Sequence, residues 1–467
     1  MQTKLNLRKV LALGATLAML ATSALASSTS SWPVYGGNAN HNSVVSGAPT
    51  SSPTVAEINL LNANSGWDGV DTVPVMETVD GVTYAYVLYD GHAAGSHLAK
   101  FNCGTAISNT GSSGDAIYAA AKEWDVQLGS ASGFQLSTPV LYGGKVYVAT
   151  NGGEVYAVDT SNGAKSLVVS VSTGQINTPL TIYDGYLYFG TWVGNGTIEG
   201  ATAPGRYYQV DLTTDTNNVQ SVSSIAKGFY WAGAVVSGSY IYFGGDGGYL
   251  YYRPVGSGFG TTSDTDIQST SLNLATATGG ASDVGNVRST VMLDGGKLYF
   301  TSQGKYLWCC TIGSSGAPAI SWKASLGGTS TSTPTKVGDR IYVGYYSGFS
   351  AGGVQCVGAS GSHTVATVAS GFPVQSSILV QGAGTGTDYL YFNTNSGSGA
   401  GYCYSYNGSA GTPVWSTRGD TYALGGMACD NGYLVFGNDK NHLYVVKQSQ
   451  GSSPGRVTAP ATDFPIF

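Results

Sequence analysis

Ser137 to Gly163 reads STPVLYGGKVYVATNGGEVYAVDTSNG. STPVL runs into a Gly143-Gly144 turn. KVYVAT alternates apolar and polar residues and ends at Asn151-Gly152-Gly153. EVYAVD alternates again and stops at Ser161-Asn162-Gly163. Period-two runs bounded by Gly, Asn and Asp predict a β-meander. Three such strands cannot bury their own apolar face, so the segment needs neighbours.

The rest of the chain supplies them by repetition. The triplet Val146-Tyr147-Val148 recurs at Leu187-Tyr188-Phe189, Ile241-Tyr242-Phe243, Leu298-Tyr299-Phe300, Ile341-Tyr342-Val343 and Leu390-Tyr391-Phe392. Weaker copies are Ala85-Tyr86-Val87 and Leu434-Val435-Phe436. Eight copies spaced by about 40 to 60 residues have the period of a four-stranded propeller blade with loop insertions. A turn precedes each copy: Asp80-Gly81, Gly143-Gly144, Asp184-Gly185, Ser237-Gly238, Asp294-Gly295-Gly296, Gly338-Asp339, Thr387-Asp388 and Asn431-Gly432. Such dipeptides suit tight hairpins. Third strands follow the triplets. Trp124, Trp322 and Trp415 fall in the outer strands, where a large ring can wedge one blade against the next.

One outer strand is out of place. Val55 to Leu60 precedes the first blade, and the last blade, Gly426 to Val446, lacks an outer strand of its own. Pairing the two closes the ring and removes exposed sheet edges. The expected fold is therefore all-β, an eight-bladed β-propeller in which the N-terminal strand completes the last blade. It spans residues 54–448, after a lead-in at 27–53 and before a tail at 449–467.

Composition agrees. Of 467 residues, 69 are Gly and 32 are Tyr, while charged residues make up only 10%, well below the usual quarter. Residues 1–26 have the form of an export leader: Lys4, Arg8 and Lys9, then the apolar Val10 to Leu20, then Ala24-Leu25-Ala26 as a cleavage site. Cleavage near Ala26 would release a secreted, extracellular or periplasmic monomer with no membrane span. Losing Lys4, Arg8 and Lys9 takes the formal charge from −6 to −9, which argues against nucleic acid as a partner.

The repeats resemble the PQQ-like propellers of the quinoprotein alcohol dehydrogenase-like superfamily. Val146 to Ala164, VYVATNGGEVYAVDTSNGA, carries the resemblance, and Trp32-Pro33-Val34-Tyr35-Gly36-Gly37-Asn38 to His41 is similar to the opening of many such exported propellers. The resemblance implies one of two functions. One is a quinone-dependent dehydrogenase with pyrroloquinoline quinone (PQQ), calcium and a catalytic Asp. The other is a non-enzymatic assembly scaffold that binds protein or glycan at the cell envelope. Beside both stands a third expectation, a polysaccharide-binding surface protein.

The residues favour the second. Cys309-Cys310 is vicinal, and in quinoprotein dehydrogenases a vicinal disulfide lies against the quinone. Here the pair sits inside the third strand YLWCCTIG, as small core residues do. Asp246 and Asp283 are expected as turn acids without partners. His41, His92, His97 and His442 are expected in solvated loops, with no spacing that suggests a metal site. No catalytic residue, metal or cofactor is assigned. The residues just before the inner strands surround one mouth of the channel: Asp71, Gln135, Gln175, Tyr230, Trp231, Arg288, Thr331, Gln375 and Tyr422. Amides, aromatics and one Arg around a funnel would suit a polar ligand such as a glycan or peptide.

Overall fold

The computed structural model describes residues 28–449, apart from 62–68, 92–93, 131–133, 195–200, 215–217, 261–266, 268 and 282. The leader expected at 1–26 and nearly all of the tail lie outside the described residues, as does His92.

Eight antiparallel sheets form a ring. Blade 2 is the plainest, with strands Val140–Tyr142, Lys145–Ala149, Glu154–Asp159 and Lys165–Ser170 running from the axis outward. The other blades occupy 75–127, 181–223, 234–273, 292–325, 335–370, 379–416 and 428–448. Blade 8 takes its outer strand from Pro53–Asn59, which pairs antiparallel with His442–Gln448 from Pro53↔Gln448 to Asn59↔His442. Ring closure by the N-terminal strand is as the sequence predicts.

The repeated triplet has a mechanical meaning. Its two flanking residues face backward and its Tyr faces forward, because neighbours in a strand point to opposite sides. Val146 and Val148 pack with Tyr86 and Leu98 of blade 1, while Tyr147 packs with Leu187 and Phe189 of blade 3. Ile341 and Val343 pack with Tyr299 of blade 5, while Tyr342 packs with Leu390 and Phe392 of blade 7. The Tyr242 hydroxyl donates to the Gly316 carbonyl of blade 5 at 2.8 Å, and that of Tyr342 to Asp388 of blade 7 at 2.6 Å. Tyr suits this seam because its body is apolar and its tip still needs a partner.

The hairpin turns hold in most blades. Asp80 and Gly81 have φ of 51° and 80°, and Asn431 and Gly432 have 47° and 74°, the pair of positive angles that a type I′ turn requires. Blade 7 differs. Asp388 is no turn residue there. It begins the second strand, Asp388–Asn393, fully buried, and binds Arg340 of blade 6 at 2.7 Å.

Two features escape the repeat. Helices Cys103–Ser108 and Gly114–Ala121 interrupt blade 1 before its outer strand, each capped by a side chain, Asn102 and Ser113. The lead-in is no simple linker. Ser28–Trp32 pairs with Val75–Val79, the innermost strand of blade 1, and so lies on the channel side of the sheet. The chain then circles the inside of the ring. The Leu141 amide of blade 2 donates to the Pro33 carbonyl and that of Leu293 in blade 5 to the Asn40 carbonyl. The Asn42 side chain is held by both backbone groups of Lys336 in blade 6. Val45 and Val380 of blade 7 follow, then Thr50 on Gln448 of blade 8. His41, expected in a solvated loop, is 1% exposed. Its ring nitrogens lie 2.6 Å from the Tyr35 carbonyl and 2.7 Å from the Ala234 carbonyl of blade 4. One segment thus plugs the channel and then leaves it to complete blade 8.

Candidate functional site

Each blade runs up and down, so two sets of loops reach the face opposite the turns just described: those leading into the inner strands, and those joining second to third strands. Together they surround a funnel. Its upper chamber is a cavity of about 340 Å³, walled by Phe134, Leu136, Tyr230, Trp231, Arg288, Gln303, Tyr346, Gly348, Phe349, Gln375, Asn395, Leu424 and Asp439. A narrow lower chamber shares Leu136, Trp231, Gln375 and Leu424 with it and adds Asp71, Thr331 and Tyr35 of the lead-in. Tyr35 belongs to the plug, so the funnel has a floor. Burial raises the Tyr35 hydroxyl pKa, and hydrogen bonds with Thr333 and Ser377 act the other way.

Of the residues expected at the mouth, Tyr230, Trp231, Arg288 and Gln375 line the upper chamber, and Asp71, Thr331, Trp231 and Gln375 the lower. Gln135 is buried outside these walls and accepts from the Asn151 amide. Gln175 is exposed on a short strand against Trp192. Tyr422 is not one of the wall residues but meets one of them, Phe349, edge-on with ring centroids 5.6 Å apart. Tyr346, Phe349, Gln303, Asn395 and Asp439 come from the second set of loops, which the sequence repeat does not single out.

Asp246 corrects an expectation. It has a partner: the Arg288 guanidinium binds it through two nitrogens at 2.8 and 2.7 Å, with both side chains almost wholly buried. The pair joins a loop of blade 4 to a loop of blade 5. The same guanidinium lies over the Tyr230 ring, 4.8 Å from its centroid. Tyr230 in turn meets Trp192 edge-on at 5.1 Å and Trp231 at 4.9 Å. Trp231 has φ +56°, a left-handed conformation rarely adopted by a bulky side chain. Asn177 and Gly233 hold its backbone there by hydrogen bonds.

The remaining candidates lie elsewhere. Asp283 is an exposed turn acid that accepts from the Tyr306 hydroxyl at 3.0 Å, so it too has a partner. His97 sits on strand Ser96–Asn102, not in a solvated loop, with Nδ1 2.8 Å from Asp125. His442 is on the last strand, 3.0 Å from both Glu57 and Asp420. Cys309 and Cys310 are adjacent on one strand and therefore face opposite ways. Cys309 packs toward blade 6 and Cys310 toward blade 4.

A ring of blades with its entrance loops gathered over a plugged channel defines a propeller of the PQQ-like class. The profile of the family described as "Outer membrane protein assembly factor BamB" matches residues 113–368, and the chain belongs to that family. No curated protein matches the sequence. Among solved structures the chain is similar to the quinohemoprotein alcohol dehydrogenase of Comamonas testosteroni at 11% identity, over 93% of this chain and 83% of that one, with a TM-score of 0.56. It is also similar to a europium-containing methanol dehydrogenase at 10% identity, over 87% and 89%, with a TM-score of 0.54. A computationally designed protein, Ika8, shares 10% identity over 86% and 98%, with a TM-score of 0.50. At these identities the likeness concerns the fold.

The quinone and calcium that the superfamily resemblance implies can be tested against the residues. Calcium takes about six to eight oxygen ligands, several of them carboxylate. Among the described residues, the wall of the upper chamber holds one carboxylate, Asp439, and that of the lower chamber one, Asp71. Among the described residues no three His, Cys, Asp or Glu side chains gather as a metal site. The vicinal cysteines face inter-blade cores. The described residues of the two walls do not fit a calcium-bound quinone.

Proposed function

We propose that this protein is a non-enzymatic binding scaffold of the cell envelope whose plugged funnel receives a portion of a partner. The observation that carries the reading is the funnel itself: a floored cavity of about 340 Å³ with five aromatic side chains in its wall and, among the described residues, no gathered carboxylates. Concave, mostly apolar sites with a few placed polar groups are what ligand recognition uses. Aromatic residues in particular anchor protein interfaces. Family membership supports a protein partner, since the family is described by outer-membrane protein assembly. The leader-like residues 1–26 support export. A glycan is the alternative partner, because aromatic and amide side chains also bind sugars.

Two experiments test the proposal. Purified protein is incubated with PQQ and calcium and assayed for a bound chromophore and dye-linked alcohol oxidation; neither is expected, and both together would overturn the scaffold reading. Capture of envelope proteins on wild type and on Trp231→Ala should retrieve a partner with the former alone. A glycan array run beside the capture covers the alternative, where binding lost in Trp231→Ala would establish the sugar.

A further inference from the structure

The ring is closed by one strand pair, Pro53–Asn59 against His442–Gln448, and an ionisable side chain sits on it. His442 begins the third strand of blade 8, opposite Asn59, so Glu57 of the closing strand lies on the same side of the sheet. The His442 Nδ1 is 3.0 Å from Glu57 and 3.0 Å from Asp420, in the loop between blades 7 and 8. It is aligned as a hydrogen bond with neither. A neutral imidazole gains little from such a contact, whereas an imidazolium is attracted to both carboxylates at once. The three side chains are only 22%, 31% and 16% exposed, so solvent screens the attraction in part.

The surrounding charges treat the two acids differently. Asp420 also accepts from Lys440 at 2.7 Å. Burial would raise its pKa, but Lys440, His442 and Arg418 hold it below the ordinary value. Glu57 has no other ion pair among the described residues. Tyr444, next on the same face, stays neutral, since burial raises its pKa and both acids raise it further. The helix Gly114–Ala121 packs on the closing strand and offers Asp115 to Asn59 at 3.1 Å. Asp439, beside Lys440, belongs to the funnel wall. We propose that His442 is a proton-sensitive latch on ring closure. Ionised, it ties the closing strand to blade 7 through Glu57 and Asp420. Neutral, it leaves Glu57 without an ion-pair partner. The pairing adds stability where the imidazole is protonated and loses it as pH rises past about 7. Below about pH 4 the carboxylates are themselves protonated.

Native-state hydrogen exchange on the whole protein tests the latch. Closing-strand amides that bond to His442–Gln448 are followed at about pH 5.5 and about pH 7.5 and corrected for intrinsic exchange. Strand Tyr240–Gly245, in blade 4, is the reference. Opening of the closing strand relative to that reference should rise by roughly three-fold or more between the two pH values, and less at high salt. His442→Gln should abolish the rise, and Glu57→Gln should remove most of it. Glu57 is partly exposed, so its variant keeps the test open should His442→Gln fail to fold. His97→Gln should leave the rise intact, which separates the latch from the His97–Asp125 pair of blade 1. A pH-independent opening in the wild type, a rise undiminished in either His442→Gln or Glu57→Gln, or a rise lost in His97→Gln overturns the latch.

Discussion

The Arg288–Asp246 pair sets the sharpest test at the residue scale. Both groups have left water, so each depends on the other. Removing one partner of such a pair leaves an uncompensated buried charge and costs about 3–5 kcal/mol. Arg288→Met should therefore lower stability by that amount in chemical denaturation. The double variant Arg288→Met/Asp246→Leu should recover much of the loss, since apolar replacement of both partners is often tolerated. The pair was illegible in the sequence because its members lie 42 residues apart and in different blades. The cysteines give a second test. Burial is the main cause that raises the Cys356 thiol to about 11 and that of Cys429 to about 12, and all six are buried and unpaired. A thiol reagent at neutral pH should find almost none of them in the native protein and all six after unfolding. Rapid native reaction would contradict this packing.

At the scale of elements, the outer half of blade 1 carries a pH-dependent knot. Asp125 accepts from Tyr89 at 2.6 Å and Tyr118 at 2.8 Å, and pairs with His97. Tyr118 belongs to the inserted helix Gly114–Ala121, so the carboxylate ties that helix to the sheet. Burial alone would raise the Asp125 pKa, but the bonds from His97, Tyr89 and Tyr118 hold it below the ordinary value. A carboxyl lowered on folding contributes stability above its unfolded pKa, near 4, and loses it as pH falls through the folded value. Asp125→Asn should cost about 1–3 kcal/mol at neutral pH and flatten the acid limb of the stability profile. An unchanged acid limb would remove Asp125 from the account. The strands around this knot were readable from period-two alternation, whereas the two helices were not. They are short, and no repeat partner exposes them as an insertion. His97 and His41 were misplaced for a related reason: a His beside Gly-rich sequence looks like a loop residue until tertiary contacts enclose it.

Across the whole molecule, the triplet made the blades countable because it repeats one arrangement, flanks backward and Tyr forward, in seven blades, with Val435 in the place of the Tyr in blade 8. The funnel was only half legible. Loops before inner strands were visible as one set, but the meander brings a second set to the same face, and Tyr346, Phe349 and Asp439 arrive that way. The path of residues 28–52 could not be read at all, since a plug has no periodicity of its own. Ile58, fully buried in the closing strand, should cost about 2–5 kcal/mol on change to Ala, with opening between blades 8 and 1. The central claim is that one N-terminal segment both plugs the ring and clasps it. Native-state hydrogen exchange measures this most directly. Amides of Pro53–Asn59 that face His442–Gln448 should be as protected as those of the strand they pair with, and so should the Val45 amide, which is bound to Val380. Rapid exchange along 45–59 in a ring that otherwise stays protected would contradict it.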